Sequence, residues 1–382
     1  MNVTPTLAPT GAASIAASVA TLLAHYDAAI LPLWNGPGWN AAMQLPYEAL
    51  SATDRQPLPV ARYRAMACAR QIYVFSRCEG ADAAAHAARL FASLRGRFAD
   101  GGYGGFVYSI DAHGQPLDST KDLYTHAFVV FACAAYFKRT GSPEARALLD
   151  GTARLIEQRF RMADGLYHAG LAQDFSPIGG TPLQNPIMHL TEAYLAAHEV
   201  TGDNFYADRL AAIAAAMLAS FVDPASGCIT ELPLTTDNAG NRIEPGHQFE
   251  WFSLLASAPS LFDGSPLSQA LTRAFDFALG HGVDTGTMGV AAALNLDGSV
   301  RDPLQRIWAQ TEFGRALVVR GDRVALAHLQ AWLQSFPARF LHAGGWYECL
   351  SAQGKVERAE MPSTTPYHLA TAYQALAHAT AG

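Results

Sequence analysis

Histidine and glutamate stand three residues apart twice in this sequence, as His189-Leu-Thr-Glu192 and His247-Gln-Phe-Glu250. On a helix that interval puts both groups on one face. A carboxylate beside an imidazole raises its basicity and fixes its tautomer, which suits a general acid or base near neutral pH. Arg70, Tyr124, His126, Asn185, Trp308, Gln310, Trp346 and His368 are the other side chains whose types could serve such a site. The bland readings are a buried ion pair for Arg70, core packing for the two tryptophans and a supporting role for His126. His25, His86, His342 and His378 have no motif around them and read as structural.

These residues gain meaning from a repeat. Gly80, Gly141, Gly202, Gly264 and Gly321 each sit in a helix–Gly–helix joint, spaced by 61, 61, 62 and 57 residues. A period of that size marks a repeated supersecondary unit. Glycine ends one helix in the left-handed conformation, and Ser or Asp then often caps the next. Five joints give ten helices. One more is expected from about Ala12 to Leu31 and one from about Thr364 to Ala379. The first and last would pair and close a ring of twelve. The expected fold is all-α, an (α/α)6 barrel with short β-hairpins in the long loops at one end, forming a single domain over residues 1–382.

Against this repeat, Arg70, Tyr124, His126, Asn185, His189, His247, Glu250, Trp308 and Gln310 all fall 10 to 17 residues before the glycine of their joint. Each therefore lies on the first helix of its pair, and His368 lies near the start of the last helix. If the first helices form the inner ring, these side chains converge at one end of it. The Gly-rich runs from Gly101, Gly289 and Gly344 connect the pairs there, with hairpins expected around AHG, LDG and AQG.

Composition narrows the function. The chain has 382 residues, is 50% hydrophobic and carries a net charge of −7 without a basic run, which argues against nucleic-acid or membrane partners. Five scattered cysteines without CxxC read as reduced thiols in a cytoplasmic protein. No Lys or Arg precedes Arg55, so no secretory signal is read, and no segment is expected to span a bilayer. There is no HExxH, GxGxxG or GxxxxGK[ST] motif, so no cofactor or metal is expected, although three His and two Glu are a conceivable zinc set.

The blocks ARQIYVFSRCEG from Ala69, KDLYTHAFVVFA from Lys121, NPIMHLTEAYLA from Asn185, EPGHQFEWFSLL from Glu244, RIWAQTEFGRAL from Arg306 and STTPYHLATAY from Ser363 run through almost the whole chain. In them the sequence resembles the N-acylglucosamine 2-epimerase superfamily, nearest its mannose isomerase branch. The resemblance implies two catalytic histidines at His247 and His368. It places Arg70, Tyr124, Asn185, His189, Glu250 and Trp308 in a sugar pocket, with no cofactor. Many relatives have Asp where this chain has His126.

The implied reaction interconverts D-mannose and D-fructose through an ene-diol. His368 takes the proton from carbon 2. His247 helps to open the ring and is oriented by Glu250. Arg70 and His189 hold the oxyanion, while Trp308 and Trp346 pack on the sugar. The alternative is a 2-epimerase on mannose/glucose or an N-acyl-hexosamine. A glycoside hydrolase would need two opposed carboxylates, and a plain sugar-binding protein would not need several His and Glu at one end. The expected partner is a monosaccharide, and the expected state is a monomer or homodimer.

Overall fold

The computed structural model describes residues 9–234 and 240–380. Twelve helices make the ring: α1 (Pro9–His25), α2 (Ala65–Arg77), α3 (Ala81–Ser93), α4 (Leu123–Thr140), α5 (Pro143–Arg159), α6 (Gln184–Thr201), α7 (Asn204–Ser220), α8 (Pro245–Ala256), α9 (Pro266–Gly282), α10 (Ile307–Arg320), α11 (Arg323–Phe340) and α12 (Thr365–Thr380). Helices α2, α4, α6, α8, α10 and α12 pack side by side as an inner ring. Helices α3, α5, α7, α9, α11 and α1 each cover one inner helix from outside. This is the expected (α/α)6 architecture.

Burial explains the division. Inner helices are buried over most of their surface, and Leu123, Thr125–Ala134 of α4 are buried without a break after Tyr124. Outer helices bury one stripe, as Ala145, Leu149, Thr152, Ala153 and Ile156 do in α5. The buried apolar side chains form one continuous cluster.

The joints follow the sequence reading in part. Gly141, Gly202 and Gly321 end α4, α6 and α10 in the left-handed region, with φ of 66°, 65° and 64°. Ser142 and Ser265 cap α5 and α9, each followed by proline. Gly80 and Gly264 differ. Helix α2 stops at Cys78 in extended conformation, and Gly80 precedes α3 instead. A further single turn, Pro259–Phe262, stands between α8 and Gly264.

Helix α1 runs on through a wide turn at Tyr26–Ile30 into Leu31–Asn35. The stretch Ser14–Asn35 is long and apolar enough by composition to cross a membrane, contrary to the expectation that no segment is. Its apolar face, Ile15, Val19, Leu22, Tyr26, Ile30 and Leu33, is buried within the ring wall. Along that face α1 packs against α12 and α11, while 28% of the apolar window is buried.

Short strands fix the front end, where inner helices begin. Tyr63–Arg64, Lys121–Asp122 and Gln305–Arg306 lead directly into α2, α4 and α10. They pair with Ser109–Ile110, Gly170–Leu171 and Cys349–Leu350 of neighbouring loops. The hairpins expected around AHG, LDG and AQG are present. Each entry strand thus sets the start of an inner helix, and the chemical side chains lie in the first two turns of the inner helices.

Candidate active site

At the front end of the inner ring lies a cavity of about 320 Å³. Arg70, Tyr124, Asn185, His189, His247, Glu250, Trp308 and His368 all line it. They come from all six inner helices, so the convergence inferred from the repeat is a property of the structure.

Several buried polar atoms here have no protein partner among the described residues: Nε of Arg70, Oδ1 of Asn185 and both oxygens of Glu250. Unsatisfied buried groups are rare in folded proteins, and their clustering at one cavity marks a place for a polar ligand. Burial first, then Glu312 and Glu192, push the Glu250 carboxyl well up, toward its protonated form. It can donate as well as accept. Arg70 donates to the Tyr124 hydroxyl at 2.6 Å and lies over the Phe128 ring at 4.3 Å.

The two central histidines differ in their settings. His247 Nδ1 donates to Glu231 Oε1 at 2.7 Å, and Glu244 Oε2 is 3.7 Å away. Burial pulls the pKa of His247 down, but Glu231 and Glu244 outweigh it and the net direction is up. His368 Nδ1 donates to Glu312 Oε1 at 2.9 Å. Burial and then Arg70 hold His368 well below the ordinary value for histidine. With Nδ1 occupied in both rings, Nε2 is the nitrogen left for the cavity. The rings lie 5.0 Å and 5.7 Å from the Trp308 ring. The site therefore pairs an imidazole biased toward its cation with one biased toward neutrality, across an indole.

Glu231 was not legible in the sequence, and the partner expected for His247 was Glu250. The structure corrects that pairing. Glu250 lies instead near His189, at 3.8 Å. Glu231 arrives on the loop after α7 and is held by Gln184 Nε2 at 2.9 Å, itself fixed by the Trp251 indole N–H at 2.8 Å. Arg242, Glu244 and Arg306 at the mouth and Glu312 behind His368 were missed as well. The His189–Glu192 pair stands as read, with Nδ1 3.2 Å from Oε2.

Two expected site members, Gln310 and Trp346, do not line the cavity, and neither does His126, whose role the sequence leaves open. Gln310 is buried, with its amide bonded to both the N–H and the C=O of Val290. Trp346 is fully buried, and its indole N–H goes to Glu348 Oε2 at 3.1 Å. His126 bridges the carbonyl of Asp122 and the N–H of Phe106. It holds the GGYGGF loop against α4. Gly105 is required there: its φ is +68°, and a Cβ would lie 2.7 Å from the His126 ring.

Three groups have metal-like spacing: His189, Glu192 and Glu250; Glu231, Glu244 and His247; Glu250, Glu312 and His368. Their chemistry does not suit a divalent ion. Glu192 accepts from the Tyr367 hydroxyl, Glu244 from Arg242 Nη2 at 2.6 Å, and Glu312 from Arg315 at 3.4 Å. Of their carboxyl groups only Glu250 is without a protein donor among the described residues, and it is pushed toward its protonated form, while guanidinium groups already supply positive charge.

Comparison with known proteins gives the family and the fold. The sequence profile of N-acylglucosamine 2-epimerase (GlcNAc 2-epimerase) matches residues 48–372. A D-mannose isomerase of Thermobifida fusca is 30% identical over 271 residues, 64% of each chain, so the match spans just under two thirds of that relative. A mannose-6-phosphate isomerase of Rhizobium meliloti (strain 1021) is 30% identical over 285 residues, 70% of this chain and 72% of the relative. The crystal structure of a D-mannose isomerase superposes with a TM-score of 0.83 at 21% identity, covering 97% of this chain and 99% of the other, which shows a shared fold.

Proposed function

The chain belongs to the N-acylglucosamine 2-epimerase family, and from that premise we propose that it is a cofactor-independent aldose–ketose isomerase acting on D-mannose and D-fructose or a closely related pair. The observation that carries this reading is the opposed tuning of His247 and His368 around one cavity. We read the ring and its site as one domain, residues 1–382, in a cytoplasmic setting that suits five free cysteines.

In this mechanism His247, biased toward its cation, gives a proton to the ring oxygen as the bond from carbon 1 to that oxygen breaks, and then takes the proton of the carbon 1 hydroxyl, which becomes the aldehyde. His368, neutral and aligned by Glu312, takes the proton from carbon 2 at Nε2. The electron pair of the broken C–H bond moves into a carbon 1–carbon 2 double bond, and negative charge develops on oxygen 1. Arg70 is the fixed cation that stabilises it. Oxygen 2 gives up its proton and oxygen 1 takes one, so that return of the carbon-bound proton from His368 to carbon 1 leaves a carbonyl at carbon 2 and gives the ketose. Asn185, Tyr124 and protonated Glu250 bind hydroxyls, and Trp308 stacks on the apolar face of the sugar.

His189 takes a different part from the one expected. Its Nδ1–H is donated to Glu192, and burial holds the ring neutral with a pKa of about 4. Nε2 is then a lone pair, which accepts from a sugar hydroxyl rather than donating to an oxyanion.

Incubation with D-mannose in heavy water tests the reading. Fructose bearing deuterium at carbon 1 is the expected product, and its formation falls by about 10³-fold in His247→Ala and His368→Ala. Glucose as the product would replace isomerisation with 2-epimerisation, and the absence of any exchange on a panel of aldoses would remove the enzyme reading.

A further inference from the structure

The barrel has a second cavity, of about 550 Å³, at the rear end where the helix–Gly–helix joints lie. Its wall includes Arg77, Lys138, Glu192, Glu199 and Arg315. His189 lines the front cavity and not the rear one, while Glu192 lines the rear cavity and not the front one. The 3.2 Å bond between them is therefore part of the partition between the two spaces. Glu192 is 6% exposed, and among the described residues both of its hydrogen bonds, from His189 and Tyr367, end on Oε2.

We propose that Glu192 connects His189 to water in the rear cavity, so that the active site exchanges protons through the back of the barrel. This rests on the isomerase reading. An aldose becomes a ketose only if oxygen 2 loses a proton and oxygen 1 gains one, besides the transfer between carbons. The front cavity is filled by the sugar at that moment. In the forward passage, the O–H bond at oxygen 2 breaks and its proton binds His189 Nε2. The Nδ1 proton crosses to Glu192, and Glu192 releases a proton to rear water. The reverse passage returns one proton to the oxygen that becomes a hydroxyl, so none is consumed.

A parallel path is closed. His368 leads through Glu312 to Arg315, which also reaches the rear cavity. A guanidinium does not give up its proton in a protein, so this branch holds charge without passing protons. The groups that face Glu192 are His189, Tyr367, Arg315, Glu250, Glu312, Tyr73, Tyr124 and His368. Of these, only His189 both bonds to Glu192 and lines the front cavity.

The test measures exchange of the His189 Nδ1 proton with water by NMR, on ligand-free protein with ¹⁵N-labelled histidine. Two variants interrupt the route at different points: Glu192→Gln accepts the same hydrogen bond but carries no proton, and Ala375→Trp fills the rear cavity without touching His189. Exchange is expected to slow at least about tenfold in both, with the His368 Nδ1 proton unaffected. In turnover, Glu192→Gln lowers kcat about tenfold or more and leaves KM within about twofold. Unchanged His189 exchange in Glu192→Gln, or in folded Ala375→Trp, overturns the proposal. Ser257→Trp substitutes on another wall if Ala375→Trp does not fold. A wild-type protein inert to sugars would overturn the isomerase reading alone, because the exchange is read without substrate.

Discussion

His247 Nδ1 lies 2.7 Å from Oε1 of Glu231, a residue sixteen positions earlier on a loop outside the inner ring. This contact, more than any within α8, sets the charge of the imidazole. Glu231→Gln removes the anion and keeps the shape, so the pKa of His247 falls. As His247 works as a cation, the alkaline limb of the kcat/KM profile moves to lower pH, with a loss of about 10²-fold at pH 8. The linkage has the matching sign. His247 is raised in the folded state, so its contribution to stability is full below about pH 6.5 and is lost as pH rises through the folded value. An alkaline limb that stays in place in Glu231→Gln would show that another group sets it.

His86 and His126 titrate the other way. Burial lowers both to about 4. Below the unfolded value near 6.5 the unfolded chain binds protons that these rings do not, so stability falls as pH drops from about 6.5 to about 4. The loss is on the order of a few kcal/mol for the two together. His126→Gln flattens the pH dependence of the Tm over this window, at the cost of about 1–3 kcal/mol at neutral pH from the Phe106 and Asp122 bonds. Thermal melts between pH 4 and 7 decide it.

Gly246 touches the tryptophan between the two histidines. A Cβ at this position would lie 2.8 Å from the Trp308 ring and from the Ala309 Cβ. Gly246→Ala therefore pushes α8 and α10 apart or turns the indole, costing about 1–3 kcal/mol. KM for the sugar is expected to rise severalfold, with the tryptophan fluorescence altered. Unchanged KM and emission would place Trp308 outside the binding face.

Gln310 separates structure from binding. Gln310→Ala leaves the N–H and C=O of Val290 unpaired and is expected to cost about 1–3 kcal/mol in denaturant unfolding. KM should stay within about twofold of wild type. A large rise in KM without loss of stability would restore Gln310 to the sugar pocket.

Helical arithmetic accounts for what the sequence disclosed. The count of helices, their pairing and the convergence of eight cavity-lining residues follow from periodic joints and from position along each helix. Two residues apart on one helix point to nearly opposite sides, so Trp308 enters the cavity while Gln310 turns to the outer wall. The repeat alone places them equally well. Glu231 was hidden because no helical phase governs a loop residue, and only tertiary packing brings it to His247. Trp346 shows a third situation. Its partner Glu348 also accepts from Thr365, the first residue of α12, so it steadies the helix of His368 without meeting the sugar.

The Tyr26 hydroxyl donates to the carbonyl of Pro366, 340 positions along the chain, where α1 and α12 lie side by side. Away from this seam, where α12 also meets α2 and α1 also meets α11, neighbouring helices meet over far shorter stretches. Loop-closure entropy rises with the length enclosed, so the formation of local hairpins helps this junction least. Folding should accordingly progress as a growing arc that locks only when its two edges dock. Because His368 sits on one of those edges, the catalytic pair is complete only in molecules that have finished folding.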